Sequence, residues 1–328
     1  MLSIRRINYL DYIKGFAILL VILGHIYYYD NPIKIFIYSF HMPLFFIISG
    51  FLSNNKSLDI KTTICNKFKS LIIPYIMFGC GIIFLKLIIN NGITGEIKSY
   101  ILYFLTGTGM DALWFLPALF IIDIIYCLLK NSKLNTLLKI PTIIVLFLVG
   151  LYGKNIHTNI VLVTLYRSLI GLGFFMLGHY TFNFIKKLNV SYITILILLI
   201  ITVILGLKNG CVDLWSLDIN NKILYITCSI TGSLSVILFF KKISNESNDI
   251  KILRYCGFNS LIIMSTHQFI LEIINKITRV TYYDTKLGIG IFIIVMLIEI
   301  PIIYVINRYL PFVLGKFNKK ENVKVVME

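Results

Sequence analysis

Long apolar stretches, separated by short polar connections, run through almost the whole chain. A stretch of about 20 apolar residues is long enough to cross a bilayer as a helix. Ten such stretches are predicted, near residues 9–29, 34–53, 69–90, 113–129, 140–153, 159–185, 190–207, 222–241, 257–275 and 287–307. Residues 98–106 form a candidate interfacial or re-entrant piece. The pattern therefore predicts an all-α integral membrane protein, with residues 1–328 forming one bundle of about ten transmembrane helices.

The distribution of basic residues predicts the orientation of this bundle. Cytoplasmic loops of membrane proteins are enriched in Lys and Arg. With the N-terminus in the cytoplasm, twenty of the 31 Lys and Arg residues fall in inside segments, eight fall outside and three lie within spans. We therefore expect both termini to be cytoplasmic and the protein to be a multi-pass protein of the plasma membrane.

Composition agrees with this class and excludes several others. Hydrophobic residues make up 58% of the chain and charged residues only 14%, whereas about a quarter of a soluble domain is charged. The net charge of +16 would suggest nucleic acid for a soluble protein, but here the basic residues flank membrane spans and face lipid headgroups. The six cysteines show no metal-ligand or disulfide spacing. We therefore expect the lipid bilayer, and neither nucleic acid nor a metal, as a partner.

The first predicted span carries an unusual set of ionisable residues: Asp11, Lys14 and His25. Such groups are costly in hydrocarbon unless they are paired or hydrated, so they are candidates for function. They also argue against a cleavable signal peptide. Lys14 and His25 share one helix face about 16 Å apart, near the inner and outer ends. The alternative for Lys14 is that it extends to the headgroups, and Asp11 is expected to pair with it at i, i+3.

A second histidine, His41, opens the second span at a depth similar to that of His25. Pro43 and Gly50 are expected to bend or thin this span, which is tolerated where a helix lines a cavity. Histidine exchanges protons near neutral pH without large tuning. Two imidazoles at one depth therefore indicate proton-transfer chemistry or a charged ligand, the alternative being that both are structural.

Four further polar or aromatic residues within spans are candidates. Arg167 can reach the histidine layer and hold a carboxylate, a phosphate or an oxyanion; the alternative is a structural pair with Asp123 or Glu299. Trp114 opens the fourth span, where an interfacial anchor is the alternative. His267 lies in the ninth span and either joins the cluster or packs structurally. Glu299, in the last span, is a candidate partner for Arg167 or for the lysine of the first span.

Five motifs spread along the chain carry a family resemblance. They are Asn8-Tyr9-Leu10-Asp11-Tyr12-Ile13-Lys14-Gly15 leading to Gly24-His25, Phe40-His41-Met42-Pro43-Leu44-Phe45-Phe46 with Ser49-Gly50-Phe51, Trp114-Phe115-Leu116, Arg167 with Phe174-Phe175-Met176-Leu177-Gly178, and Asn259-Ser260 through His267. In this order they resemble the membrane-bound acyltransferase family three, whose members acylate sugars and glycoconjugates of bacterial envelopes, antibiotics and some lipid-linked substrates. The first two motifs together are specific.

The resemblance implies an acyl-CoA donor, with acetyl-CoA the default, and a hydroxyl of an envelope sugar or glycoconjugate as the acceptor. It implies that Lys14, with Lys67 and Lys69, holds the CoA phosphates at the cytoplasmic side. His25 is then a general base or a transient acyl carrier, so direct transfer and an acyl-histidine intermediate both stay open. In the remaining assignments His41 orients the base or stabilises the oxyanion, Arg167 assists, and Trp114, Asp11, His267 and Glu299 lie near the substrate.

The chain departs from the family pattern in two places. The family often has a basic pair before the Pro-Tyr of the third span, whereas here Lys67 and Lys69 are followed by Ser70 before Pro74-Tyr75. The extra extracytoplasmic domain of longer members is also not expected, so the helices and short outer loops must recognise the acceptor.

A proton-coupled transporter or flippase is the alternative function from a different class. Midplane charges and broken helices suit transport as well, with His25, His41 and Arg167 as the proton-coupling layer. No internal repeat is visible in the sequence, which argues against the inverted-repeat transporters. The discriminating observation is whether the protein consumes a thioester.

Overall fold

The computed structural model describes residues 8–53, 59–90, 92–155, 159–246 and 249–317, whose regular elements are all helices, with no named strand among them. The α-helices are α1 (Asn8–Ile26), α2 (Pro32–Tyr38), α3 (His41–Ser53), α4 (Ile60–Lys67), α5 (Ile73–Ile89), α6 (Gly95–Leu105), α7 (Phe115–Asn131), α8 (Thr136–Gly153), α9 (Ile160–Lys187), α10 (Tyr192–Asn209), α11 (Lys222–Glu246), α12 (Lys251–Phe258), α13 (Ser260–Thr278) and α14 (Thr285–Tyr309). A π-helical turn, Phe68–Ile72, joins α4 to α5, and 3-10 turns cover Asp111–Trp114 and Pro311–Leu314. The all-α prediction is confirmed.

Eight segments of the described chain are long and apolar enough to cross a membrane. They are Tyr9–Ile26, Pro32–Ser53, Ile60–Ile89, Asp111–Asn131, Ile160–Lys187, Tyr192–Asn209, Lys222–Ser244 and Thr285–Tyr309. The other two predicted spans are also helical: α8 is short, and α13 carries Gln268, Glu272 and Lys276 among its apolar residues. The count of ten spans and the cytoplasmic termini therefore stay predictions, and part of the charge signal (Arg5, Arg6, Lys56) lies outside the described residues.

The second predicted span is divided into two helices just before His41. The break falls at Ser39, whose hydroxyl donates to the carbonyl of Phe36 at 2.7 Å. Pro43 lies in the first turn of α3, where a proline needs no backbone partner, so the chain bends before Pro43 rather than at it. The break places His41 at the first position of α3.

Glycines lie where helices of the bundle approach one another closely. A Cβ atom on Gly50 of α3 would lie 1.9 Å from the carbonyl oxygen of Phe175 in α9, and one on Gly178 of α9 would lie 2.2 Å from that of Ile47 in α3. Small residues let helix backbones approach closely in membranes, where packing rather than water exclusion drives association. The two glycines therefore set the distance between α3 and α9.

Helix α1 lies inside the bundle and packs against α3, α11, α12, α13 and α14. Its apolar side chains are largely buried, whereas α10 and α14 keep many of theirs exposed. Apolar faces on the outside of the bundle are what lipid requires. Within this central helix Asp11 is buried, whereas Lys14 and His25 are half-buried.

Labelling of Cys65 is expected to report the orientation of the bundle. Cys65 on α4 is exposed in a segment predicted to be cytoplasmic. Cys211 is buried in the loop 210–221, which is predicted to be outside, and burial raises its thiol pKa to about 11. Thiolates are the reactive form, so Cys211 should stay unlabelled at pH 7.5. A membrane-impermeant maleimide should therefore label inside-out vesicles but not right-side-out vesicles, and Cys65→Ser should remove the signal. Labelling of Cys65 in right-side-out vesicles would reverse the predicted orientation.

Candidate active site

A cavity of about 480 Å³ lies at the end of the bundle where α1 ends. Its wall is formed by the end of α1, the junction of α2 with α3, helix α6, the turn Asp111–Trp114, the loop 210–221 and α13. Among the predicted site residues, His25, His41 and Trp114 line it. The predicted orientation makes this the extracytoplasmic end of the bundle.

Tyr38 connects the two predicted histidines within this cavity. Nδ1 of His25 lies 3.4 Å from the Tyr38 hydroxyl and 3.1 Å from Nε2 of Gln268. The Tyr38 ring also packs against the His41 ring, with 4.9 Å between centroids. Nδ1 of His41 donates to the carbonyl of Ile37 at 2.9 Å. In each imidazole, Nε2 is therefore the ring nitrogen that remains for a ligand in the cavity.

His267 lies directly behind His25, with their ring centroids 5.3 Å apart. It is fully buried, and its Nδ1 donates to the carbonyl of Ile263 at 2.7 Å. Its Nε2 has no hydrogen-bond partner among the described residues. Because Nδ1 carries the proton in both His267 and His41, the neutral form of each has an accepting Nε2. Neutral His41 can thus take up a proton, and it can donate to an oxyanion only once it is protonated.

Arg167 lies behind the cavity wall rather than in it. Its guanidinium carbon is 5.5 Å from the ring centroids of both Trp114 and Trp215, which line the cavity. It donates to the carbonyl of Thr108 at 2.8 Å and to that of Trp215. The turn before Trp114 is tight: Gly109 has φ +77°, and a Cβ there would lie 2.3 Å from the backbone nitrogen of Trp114. Arg167 therefore positions both tryptophans.

The two acidic residues considered as structural partners of Arg167 interact elsewhere. Asp123 accepts a hydrogen bond from Lys67. Glu299 is fully buried and accepts from the Thr266 hydroxyl at 2.8 and 3.0 Å. Arg167 therefore donates to the backbone carbonyls of Thr108 and Trp215, and not to either of the carboxylates that the sequence suggests.

The predicted phosphate-binding lysines lie outside the cavity lining. Nζ of Lys14 is 3.7 Å from Oδ1 of Asp11, which confirms the expected i, i+3 pair. Lys67 is held by Asp123, and Lys69 is exposed. Lys14 and the cavity histidine occupy opposite ends of α1, so any ligand that reaches both must run along the length of that helix.

Several cavity residues are missing from the sequence prediction. Lys34 is buried: its Nζ donates to the carbonyl of Tyr27 at 3.2 Å and lies 5.0 Å from the Tyr38 ring centroid. The sequence places it among the eight basic residues outside the membrane, at the start of the second span. Gln268 could have been found, because a polar amide in an apolar span meets the same rule that selected the histidines. Trp215 could not be found in this way, because the sequence does not show that the loop 210–221 places a tryptophan in the cavity wall.

The loop 210–221 folds back over the cavity through a tight turn. Asp213 and Asp218 exchange backbone hydrogen bonds at 2.8 and 2.9 Å. Partial burial alone would raise the pKa of Asp218, but hydrogen bonds from Lys154 and Ser216 hold it below its ordinary value. The ionised carboxylate therefore ties the loop to the end of α8, and Asp213 and Trp215 reach the cavity.

Comparisons with known proteins identify the family to which the chain belongs. Residues 7–308 match the family model Acyl_transf_3, described as an acyltransferase domain. The nodulation protein NolL of Sinorhizobium fredii (strain NBRC 101917 / NGR234) is 36% identical over 87 residues, which cover 22% of this chain and 23% of that protein. The match thus spans less than a quarter of this relative's length, and no solved structure matches the chain. Since the family model covers nearly the whole described bundle, the chain belongs to the acyltransferase 3 family.

Proposed function

We propose that this protein is a membrane O-acyltransferase that moves an acyl group, with acetyl as the default, from cytoplasmic acyl-CoA to a hydroxyl of a cell-envelope sugar or glycoconjugate. The observation that carries the proposal is the position of His25, which lines the cavity. Family membership supports acyl transfer, and an imidazole at this position can serve as its base. Its Nδ1 is engaged by neighbours, which leaves Nε2 for the substrate.

In the proposed reaction, Nε2 of His25 takes the proton from the acceptor hydroxyl as its oxygen attacks the thioester carbonyl carbon. The carbon–sulfur bond breaks, and the proton passes to the sulfur to give free CoA. His41 is proposed to lie at the developing oxyanion, to which its Nε2 donates after taking up a proton from the water of the cavity; it keeps that proton throughout the transfer. Arg167 assists by holding Trp114 and Trp215 in the cavity wall. An acyl-histidine form of His25 is the variant in which the same nitrogen attacks first.

The donor is proposed to enter from the end of α1 opposite the cavity. Lys14, with Lys67 and Lys69, supplies positive charge for the CoA phosphates. The distance along α1 from Lys14 to His25 is about 16 Å, roughly the length of a pantetheine arm. The thioester can therefore reach the histidine layer while the nucleotide stays on the cytoplasmic side.

The charges of the cavity wall favour a hydroxyl-rich, non-anionic acceptor. Its lining carries one cation, Lys34, and three carboxylates, Glu96, Asp111 and Asp213. Carboxylates accept hydrogen bonds from sugar hydroxyls but repel an anionic ligand. His267 packs behind His25, and Glu299 of α14 accepts a hydrogen bond from Thr266, the neighbour of His267 on α13.

Release of free CoA by the purified protein in nanodiscs tests the proposal. Wild-type protein is expected to release CoA from acetyl-CoA, with envelope-sugar extract as the acceptor. Lys14→Ala should raise the KM for acetyl-CoA about tenfold with little change in kcat, because one charge-assisted contact is worth roughly 1.5–3 kcal/mol. Lys61→Ala, which removes an exposed lysine on α4, is the matched control.

Two results would contradict the proposal. One is wild-type protein that turns over no acyl-CoA with any extract. The other is flux of a solute across the membrane that needs no thioester, which would support the transporter instead.

A further inference from the structure

Gln268 makes the closest polar contact to the proposed base. It lies on α13, lines the cavity, and places its amide nitrogen, Nε2, 3.1 Å from Nδ1 of His25. The amide oxygen of Gln268 is buried and has no hydrogen-bond partner among the described residues. Such an acceptor costs free energy when it is buried unpaired. Exchanging the oxygen and nitrogen positions of the amide brings this oxygen to Nδ1 of His25, which can donate to it when Nδ1 carries the ring proton.

The orientation of this amide decides which nitrogen of His25 can act as a base. A neutral imidazole carries one proton, so one nitrogen donates and the other accepts. If the Gln268 nitrogen donates to Nδ1, the proton of His25 sits on Nε2, which then cannot take another. If the Gln268 oxygen accepts from Nδ1–H, Nε2 presents a lone pair to the cavity. A half-turn about the last side-chain torsion, which is soft, exchanges the two arrangements.

We propose that Gln268 is a positioning residue whose amide oxygen accepts from Nδ1–H of His25 and so keeps Nε2 free as the proton acceptor. This inference rests on the proposed function. During transfer, Nε2 takes the proton of the acceptor hydroxyl while Nδ1–H stays bonded to the amide oxygen. The resulting imidazolium then returns the Nε2 proton to the CoA sulfur as the carbon–sulfur bond breaks.

The other groups around His25 can titrate or carry charge, whereas Gln268 cannot. They are His267 on α13, Lys34 and Tyr38 on α2, and His41 on α3. The Tyr38 hydroxyl also approaches Nδ1 but at the longer distance of 3.4 Å. A neutral amide therefore gives His25 an orientation that does not change with pH over the working range.

Kinetics of two Gln268 variants test this role. Gln268→Met keeps the length of the side chain and removes its hydrogen bond, so kcat for CoA release should fall about tenfold to hundredfold with an unchanged KM for acetyl-CoA. Gln268→Glu places a carboxylate beside His25 and favours the imidazolium, so the acidic limb of the pH–rate profile should move up by about one unit or more. Ser265→Ala, which removes only an intrahelical bond to Leu261, is the matched control on α13.

A second measurement does not depend on activity. Nitrogen-15 NMR of histidine-labelled protein in nanodiscs at pH 8 distinguishes the two tautomers, and His25→Ala assigns one signal among the five histidines. Wild-type His25 should carry its proton on Nδ1, and Gln268→Met should shift it toward Nε2. A wild-type Nε2–H tautomer, or a Gln268→Met variant with wild-type kinetics and tautomer, would overturn the inference. The expected tautomers in a protein that releases no CoA would instead retain the role of Gln268 and reject the proposed function.

Discussion

His25→Ala is expected to abolish CoA release, with kcat lowered by roughly 10²–10⁴-fold, because a positioned general base contributes that much to the rate of acyl transfer. His25 lies in the last turn of α1, is only half-buried, and faces the cavity. Removing its imidazole therefore enlarges the cavity instead of opening a void in the packed core. The variant should fold, bind acetyl-CoA with a near wild-type KM, and fail at the chemical step.

A histidine outside the cavity provides the matched control for this variant. His179 on α9 hydrogen-bonds to Ser53 at 3.0 Å and packs against Tyr126, and it is absent from the cavity lining. His179→Gln should retain CoA release. A His25→Ala variant that keeps more than about a tenth of the wild-type kcat would remove His25 from the role of base. His41, whose neutral form accepts at Nε2, would then be the next candidate.

The parts of the structure that follow local rules could be predicted from the sequence. Apolar runs identify the helices, because each helix needs a continuous apolar length to cross a bilayer. The i, i+3 spacing of Asp11 and Lys14 predicts their ion pair, because both lie on one face of a single helix. His25 and His41 line one cavity because consecutive antiparallel helices place similar depths side by side.

The rest depends on contacts between segments that are distant in sequence. Arg167 uses the carbonyls of Thr108 and Trp215, and no pattern in the sequence identifies a carbonyl as a partner. Lys34 is held at the cavity by the carbonyl of Tyr27 and the ring of Tyr38, and the apolar run of the second span does not show that α2 ends at Tyr38. The contact between Gln268 and His25 spans 243 positions of the chain, so only packing of α13 against α1 reveals it.

Gly178→Ala is expected to destabilise the protein strongly although it adds only one methyl group. That methyl carbon would lie 2.2 Å from the backbone carbonyl oxygen of Ile47, which cannot rotate away as a side chain could. Helices α3 and α9 must therefore separate, and overpacking of this kind costs roughly 1–3 kcal/mol or more. The apparent Tm in detergent should fall by several degrees.

A glycine in open surroundings separates this steric effect from a general effect of alanine. A Cβ atom on Gly290 of α14 would have no neighbouring atom within 4 Å, so Gly290→Ala adds the same methyl group without a clash. Because alanine favours the helix, Tm should stay unchanged or rise slightly. Because α3 begins at His41, separation of α3 from α9 should also displace that imidazole and lower kcat. Equal Tm values for Gly178→Ala and Gly290→Ala would show that the close approach of α3 to α9 contributes little to stability. The position of His41 would then depend on the break between α2 and α3 and not on the packing of α3 against α9.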